Sequence, residues 1–124
     1  MQEAVFKGIA AESLRAYAVW EPILRTDEVR AARKATDMLP DRRVRHYWTL
    51  TPHVGEIFEP ALSLRGTPAW DVYLLYAPGV EWKGRTPPRP GYFMHQLHQL
   101  PANRYLDADT LAARIRGMLT SWED

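Results

Sequence analysis

His95 and His98 are the residues whose type and spacing come closest to a metal site. Imidazole is a common zinc ligand, but a tetrahedral zinc site needs more ligands than two imidazoles. If both residues lie on one strand, side chains three positions apart point to opposite faces, so one ion could not bind both. His46 and His53 could add ligands only if the fold gathered them. We therefore predict no metal, no other cofactor, and packing or surface roles for His95 and His98.

The chain contains no cysteine, which excludes disulfide bonds, thiol nucleophiles and thiolate ligands. Thiol–disulfide exchange begins with attack by a thiolate, so this chain cannot perform that reaction alone. The sequence also lacks a pattern of serine, histidine and aspartate that would indicate a hydrolase. We therefore predict no catalytic residues.

Basic residues cluster between positions 30 and 45, where contact with phosphate or RNA would be one interpretation. Flanking acidic residues and a net charge of only +1 for the whole chain argue against it. We predict a solvated helix face and no nucleic-acid partner. The members of the cluster are Arg30, Arg33, Lys34, Arg42, Arg43 and Arg45.

A chain of 124 residues with 46% hydrophobic and 25% charged residues is typical of a globular protein, and we expect a single domain over residues 1–124. Folding at this length can bury roughly two thirds of the chain's surface without disulfides. No apolar run reaches the ~20 residues of a membrane helix. Residues 1–6 also lack the basic and apolar regions of a signal peptide. We predict a cytoplasmic protein without a membrane partner.

Hydrophobic periodicity predicts helices and strands in the order α-β-α-β-α-β-β-α. Strands are expected at Arg15–Trp20, Arg43–Leu50, Trp70–Tyr76 and Tyr92–Leu97. Helices are expected at Glu3–Ser13, from a cap at Thr26 to Leu39, from Thr51-Pro52 to Leu62, and after a cap at Asp107.

Proline and glycine mark the boundaries in the second half of the chain. Pro78-Gly79 fits a type II turn after the third strand, and Pro60 should kink or shorten the third helix. Lys83–Gly91 is too rich in proline for regular pairing, which predicts an exposed loop. In the last helix the apolar residues recur at helical spacing, namely Leu111, Ile115, Met118 and Trp122.

Strands that alternate with helices favour parallel β-α-β units with right-handed crossovers. The last hairpin adds an antiparallel edge. We expect a mixed, mostly parallel central sheet with helices on both faces.

This order, with Gly66-Thr67-Pro68 directly before the third strand and Pro78-Gly79 after it, resembles the thioredoxin-like superfamily and its TlpA-like thiol-disulfide oxidoreductases. The resemblance implies a thioredoxin-like three-layer α/β/α sandwich. It also implies a cis bond before Pro68, in a loop that faces the family's redox motif. That motif, Cys-x-x-Cys, is missing from this chain.

Two alignments with this family remain open. In the first, Trp20-Glu21-Pro22 occupies the place of the redox loop, opposite Thr67-Pro68, and Glu21 is the one acidic group placed where the family does chemistry. In the second, the chain corresponds to the later part of an oxidoreductase, and Cys-x-x-Cys would lie upstream of Met1. Deletion of a central strand leaves unpaired backbone groups at ~1–3 kcal/mol for each buried one. The second alignment therefore requires a closed sheet or a strand from another chain.

We predict a non-redox binding or interaction domain whose partner is a second copy, in a homodimer, or another protein. The alternative is the cysteine-less portion of a thiol-disulfide oxidoreductase whose Cys-x-x-Cys lies upstream or on another chain. Exposed aromatic side chains near the proline-rich loop would anchor the partner. The predicted surface consists of Trp20, Glu21, Pro22, Thr67, Pro68, Trp82, Tyr92 and Phe93.

Overall fold

The structure is a computed structural model that describes residues 1–22 and 29–123. Helices and strands follow one another in the predicted order, which confirms a mixed α/β architecture. The strands are β1 (Ala16–Trp20), β2 (Val44–Trp48), β3 (Val72–Leu75) and β4 (Tyr92–His95). The helices are an N-terminal π-helix (Gln2–Lys7), α1 (Val29–Thr36), α2 (His53–Leu62), a 3₁₀ turn (Ala102–Arg104) and α3 (Ala108–Glu123). The predicted cap at Thr26 lies outside the described residues.

The first and last helices pack against each other. The N-terminal helix ends at Gly8, well before the predicted end at Ser13, and Arg116 of α3 donates a hydrogen bond to the Gly8 carbonyl at 3.0 Å. The predicted cap of α3 is confirmed, because Asp107 Oδ1 accepts a hydrogen bond from the Thr110 N–H at 2.8 Å. The apolar stripe of α3 does not extend to Trp122, which is exposed.

The four strands form two separate pairs. β1 and β2 are parallel, from Ala16 opposite Val44 to Trp20 opposite Trp48. β3 and β4 are antiparallel, with Val72 opposite His95. The predicted single central sheet is therefore wrong for the described residues, where no pairing joins the two sheets.

The third strand is shorter than predicted. Asp71 has a φ of 49°, which takes the backbone out of the extended region directly before β3. β3 consequently begins at Val72 rather than at Trp70 and has only four residues. The turn after it was predicted correctly, since Gly79 has a φ of 81° and the Val80 N–H bonds to the Ala77 carbonyl.

The β3–β4 hairpin separates two hydrophobic cores. The first core consists of Val5, Phe6, Ile9, Val44, Met94, Leu111, Ala112 and Ile115. The second core consists of Leu62, Leu64, Ala69, Leu97 and Leu100. Tyr73 and Leu75 of β3 contact the first core, whereas Val72 and Leu74 contact the second, as the alternation of a strand requires. None of the helices in the described parts of the chain combines the length and apolar character that a bilayer crossing requires.

Arg43 is buried, although the sequence placed it in a solvated basic cluster. Its guanidinium group donates to both carboxylate oxygens of Asp41, at 2.8 and 2.9 Å. It also donates to the carbonyl oxygens of Phe6, Ile9 and Ala11. These bonds connect the start of β2 to the segment after the N-terminal helix. The other members of the cluster are exposed, as predicted, and they are Arg30, Arg33, Lys34, Arg42 and Arg45.

Candidate functional site

Glu21 lies at the N-terminus of α2, where the helix dipole is positive. Its two carboxylate oxygens each accept a hydrogen bond from the Gly55 N–H, at 3.0 Å. Burial raises the pKa of Glu21 above its ordinary value, and the backbone N–H groups of Gly55 and Val54 offset only part of this effect. The carboxylate therefore serves to cap α2.

Gly55 joins the two segments that the sequence placed opposite each other. Its N–H bonds to Glu21, and its carbonyl oxygen accepts a hydrogen bond from the Ala69 N–H at 2.8 Å. A Cβ atom at Gly55 would overlap the Ala69 carbonyl oxygen and would lie 2.8 Å from Glu21 Oε2. Only glycine fits this close approach. Glu21 and Ala69 thus both bond to Gly55, a residue that the sequence analysis did not identify.

The peptide bond before Pro68 is trans, as is every peptide bond in the described parts of the chain. The expectation of a cis bond was therefore wrong. The chain reverses direction before this proline by left-handed residues instead, since Ser63, Arg65 and Gly66 have φ values of 58°, 51° and 91°. This turn brings Thr67 to Ala69 beside α2 without a cis bond.

Trp20 and His46 form a stacked pair on the inner side of the parallel strands. Their ring centroids lie 6.1 Å apart, and Trp20 Nε1–H donates to His46 Nδ1 at 3.2 Å. Because His46 Nδ1 accepts a hydrogen bond, its Nε2–H donates to the Leu39 carbonyl oxygen at 3.0 Å. His46 is therefore a packing residue with both ring nitrogens hydrogen-bonded.

His95 is fully buried, which confirms its predicted packing role. Its Nδ1 accepts a hydrogen bond from the Leu97 N–H at 2.9 Å, and its Nε2–H donates to the Pro101 carbonyl oxygen at 2.8 Å. Both ring nitrogens thus have backbone partners. His98 is exposed. The described residues contain no group of three or more potential metal ligands.

Three other residues of the predicted surface make contacts elsewhere in the structure. Trp82 packs edge-on against Phe58 of α2, with ring centroids 5.3 Å apart. Tyr92 and Phe93 occupy opposite faces of the β3–β4 hairpin, in contact with the first and second cores respectively. Arg104 lies over both of these rings.

A different surface stands out on the parallel strands. Four exposed residues lie on the face of β1 and β2 that is turned away from the first core. Tyr17 lies opposite Arg45, and Val19 lies opposite Tyr47. The Tyr17 and Tyr47 rings stack with centroids 6.5 Å apart. We call these four residues the aromatic sheet face. The alternation of a strand places Tyr17 and Val19 on the same face, but their exposure depends on the layers around them.

No protein-family model, curated protein or solved structure matches this chain. The thioredoxin-like resemblance therefore stays a prediction.

Proposed function

We propose that this chain is a non-redox binding domain that recognises an amphipathic helix of a partner protein on the aromatic sheet face. The observation that carries the proposal is the exposure of this face. Parallel strands are normally covered on both sides. Here Tyr17 is 66% exposed and Tyr47 is 49% exposed, with Val19 exposed between them.

The dimensions of the face suit a single helix. Strands of five residues are roughly 16 Å long, and neighbouring strands lie about 5 Å apart. An α-helix is about 10 Å wide with its side chains, and three turns of it cover about 16 Å. One helix laid along β1 and β2 would therefore cover the tyrosines and Val19 and would supply the missing layer.

The charge on the face indicates an acidic helix. The Arg45 guanidinium group forms no ion pair or hydrogen bond with another residue in the described parts of the chain. Arg15 lies just before β1 and adds a second cation near this end of the face. A glutamate or aspartate on the partner helix could pair with the Arg45 guanidinium group in two parallel hydrogen bonds.

Single-stranded nucleic acid fits the same face less well. Bases stack on aromatic rings whose faces are open. Tyr17 and Tyr47 instead stack on each other, with only 28° between their ring planes. A protein helix can pack against the edges and outer surfaces of the two tyrosine rings. We therefore favour a helix over nucleic acid as the partner.

Binding rather than catalysis agrees with the role of Glu21. Both of its carboxylate oxygens are bonded to the Gly55 N–H, so this group caps a helix. The chain also has no thiol for redox chemistry.

The proposed fold is a variant of the thioredoxin-like three-layer sandwich. Two features support it: a parallel pair joined through a helix comes first, and an antiparallel hairpin followed by a helix comes last. An experimental structure in which β1 pairs with β3 would establish this relationship. A structure in which β1 and β3 lie on different sides of the molecule would remove it.

A displayed library of helical peptides about three turns long tests the proposed function. We expect enrichment of peptides with apolar residues at i, i+3, i+4 and i+7 and an acidic residue on the same face. Binding of the enriched peptides should weaken at least tenfold in Tyr17→Ala and Tyr47→Ala. Arg45→Glu should reverse the preference for peptides with an acidic residue. Trp122→Ala removes an exposed aromatic ring from α3 and should leave peptide binding unchanged.

Three results would overturn this proposal. Peptides that bind Tyr17→Ala and Tyr47→Ala as well as the unmodified protein would place the binding site elsewhere. A homodimer that sediments as a monomer only after Tyr47→Ala would assign the face to a second copy. Single-stranded RNA that binds to the face and competes with the peptides would assign it to nucleic acid.

A further inference from the structure

An open groove of about 810 Å³ lies on the opposite side of the hairpin from the first core. The C-terminal end of α2 and the turn after it form one wall, and residues 99–101 form the other. Arg89 and Pro90 of the proline-rich loop close one end. Its volume is in the range of ~300–1,000 Å³ that small-molecule sites occupy.

The floor of the groove is apolar. Leu62, Leu64 and Leu100 belong to the second core, and the Phe93 ring packs against it from β4. Because these side chains are fixed by the core, the floor is preformed. An apolar body of a ligand could lie on it without rearrangement of the core.

The rim of the groove is cationic. Arg65 and Arg89 are exposed lining residues, and neither forms an ion pair within the described residues. The Glu59 carboxylate, on α2 before this turn, accepts a hydrogen bond from the Gly66 N–H. The charges of Arg65 and Arg89 are therefore available to a ligand.

The position of Arg65 is fixed by its turn. Its φ is 51°, Gly66 follows with a φ of 91°, and the Thr67 N–H bonds to the Leu64 carbonyl oxygen at 3.3 Å. The guanidinium group therefore starts from a backbone held at the edge of the apolar floor. Thr67 also lines the groove and adds a hydroxyl group that can donate or accept.

We propose that this groove binds a small amphipathic anion, a carboxylate or phosphate attached to an apolar body. Arg65 and Arg89 bind the anionic group, and Leu62, Leu64, Phe93 and Leu100 contact the apolar body. Thr67 and Phe93 of the predicted surface thus take part in a site that the sequence did not delimit. The groove and the aromatic sheet face share no residue, so either proposal can fail without the other.

A titration with 8-anilinonaphthalene-1-sulfonate tests this proposal, because this probe combines a sulfonate with an apolar aromatic body. We expect saturable binding that weakens about tenfold in Arg65→Ala and in Arg89→Ala, and further in the double variant. Arg85→Ala is the matched control, since Arg85 is exposed in the same loop but does not line the groove. It should bind the probe like the unmodified protein. Circular dichroism should be unchanged in all variants.

Competition identifies the class of ligand. Decanoate and phenyl phosphate should each displace the probe if the anion and the apolar body are both required, and the stronger competitor indicates whether carboxylate or phosphate is preferred. Inorganic phosphate alone should displace it poorly. Equal loss of binding in Arg85→Ala and Arg65→Ala, or full binding in the double variant, would overturn the proposal.

Discussion

Replacement of Arg43 by alanine removes the guanidinium group that joins β2 to the N-terminal segment. The variant leaves the Asp41 carboxylate, whose side chain is 17% exposed, without its cation. It also deprives the carbonyl oxygens of Phe6, Ile9 and Ala11 of their donor. We therefore expect a large loss of stability from this single change.

The magnitude follows from the cost of breaking a buried ion pair, which is about 3–5 kcal/mol. Water can reach the partly exposed Asp41 after truncation, so we expect a loss near the lower end, about 3 kcal/mol. With a urea m-value of roughly 2 kcal/mol/M, the midpoint of unfolding should fall by about 1.5 M. This is a substantial part of the ~5–15 kcal/mol that stabilises a typical domain.

The adjacent residue Arg42 provides the matched control. Its ion pair with Glu12 joins side chains that are 78% and 67% exposed. Such surface pairs contribute about 0–1 kcal/mol, so Arg42→Ala should lower the urea midpoint by less than about 0.5 M. Arg43→Lys should recover less than half of the loss, because an ammonium group cannot reproduce the planar fork of donors. Equal shifts in Arg42→Ala and Arg43→Ala would refute the reasoning.

The same pair predicts a pH dependence. The hydrogen bonds from Arg43 lower the pKa of Asp41 from 3.8 to about 2. A carboxylate with a lowered pKa stabilises the fold above its unfolded pKa, and this contribution is lost as the pH falls through the folded pKa. The difference in unfolding free energy between the unmodified protein and Arg43→Ala should therefore narrow between pH 4 and pH 2. A constant difference over that range would show that Asp41 does not contribute.

Two further predictions concern Gly55 and Glu21, which are hydrogen-bonded to each other. Gly55→Ala should lower the free energy of unfolding by about 1–3 kcal/mol, because its methyl group overlaps the Ala69 carbonyl oxygen. Gly117→Ala in α3, where nothing lies within 4 Å of the new methyl group, should instead raise it by about 1 kcal/mol. Unchanged stability of Gly55→Ala, measured by urea unfolding, would contradict the close approach at Gly55. For Glu21, the raised pKa means that folding favours the protonated form, so stability falls as the pH rises through that pKa. The unmodified protein should therefore lose stability relative to Glu21→Gln as the pH rises above the ordinary pKa of glutamate, and a gain of stability there would exclude a raised pKa.

Local sequence patterns agree with the structure for features that depend only on residues near each other in the chain. The cap at Asp107, the turn at Gly79 and the alternation of Ala16, Tyr17 and Ala18 along β1 all agree with the structure. Each of these follows from side chains or backbone preferences within a few positions. The order of helices and strands could be predicted for the same reason.

Long-range contacts account for what the sequence did not predict. Arg42 and Arg43 are identical in type and adjacent in the chain, yet only Arg43 reaches the carbonyl groups of residues 6, 9 and 11. Gly55 is one of seven glycines, and its necessity depends on Glu21 and Ala69, which come from distant segments. The groove at Arg65 and Arg89 likewise depends on how two loops approach each other.

The interruption at Asp71 also connects the fold to the proposed function. β3 begins only after this residue, and its short pair with β4 is separate from the β1–β2 pair. Phe58 and Leu62 of α2 then pack on the second core, against the β3–β4 hairpin. These two side chains do not cover the outer face of the parallel strands, and the tyrosines on that face are exposed to solvent.

Replacement of Asp71 by asparagine or glycine, both tolerant of positive φ, should preserve this arrangement, whereas Asp71→Val should disturb the start of β3. Binding of the enriched helical peptides should therefore persist in Asp71→Gly, and its loss there would show that the exposed face depends on the aspartate side chain rather than on the backbone turn.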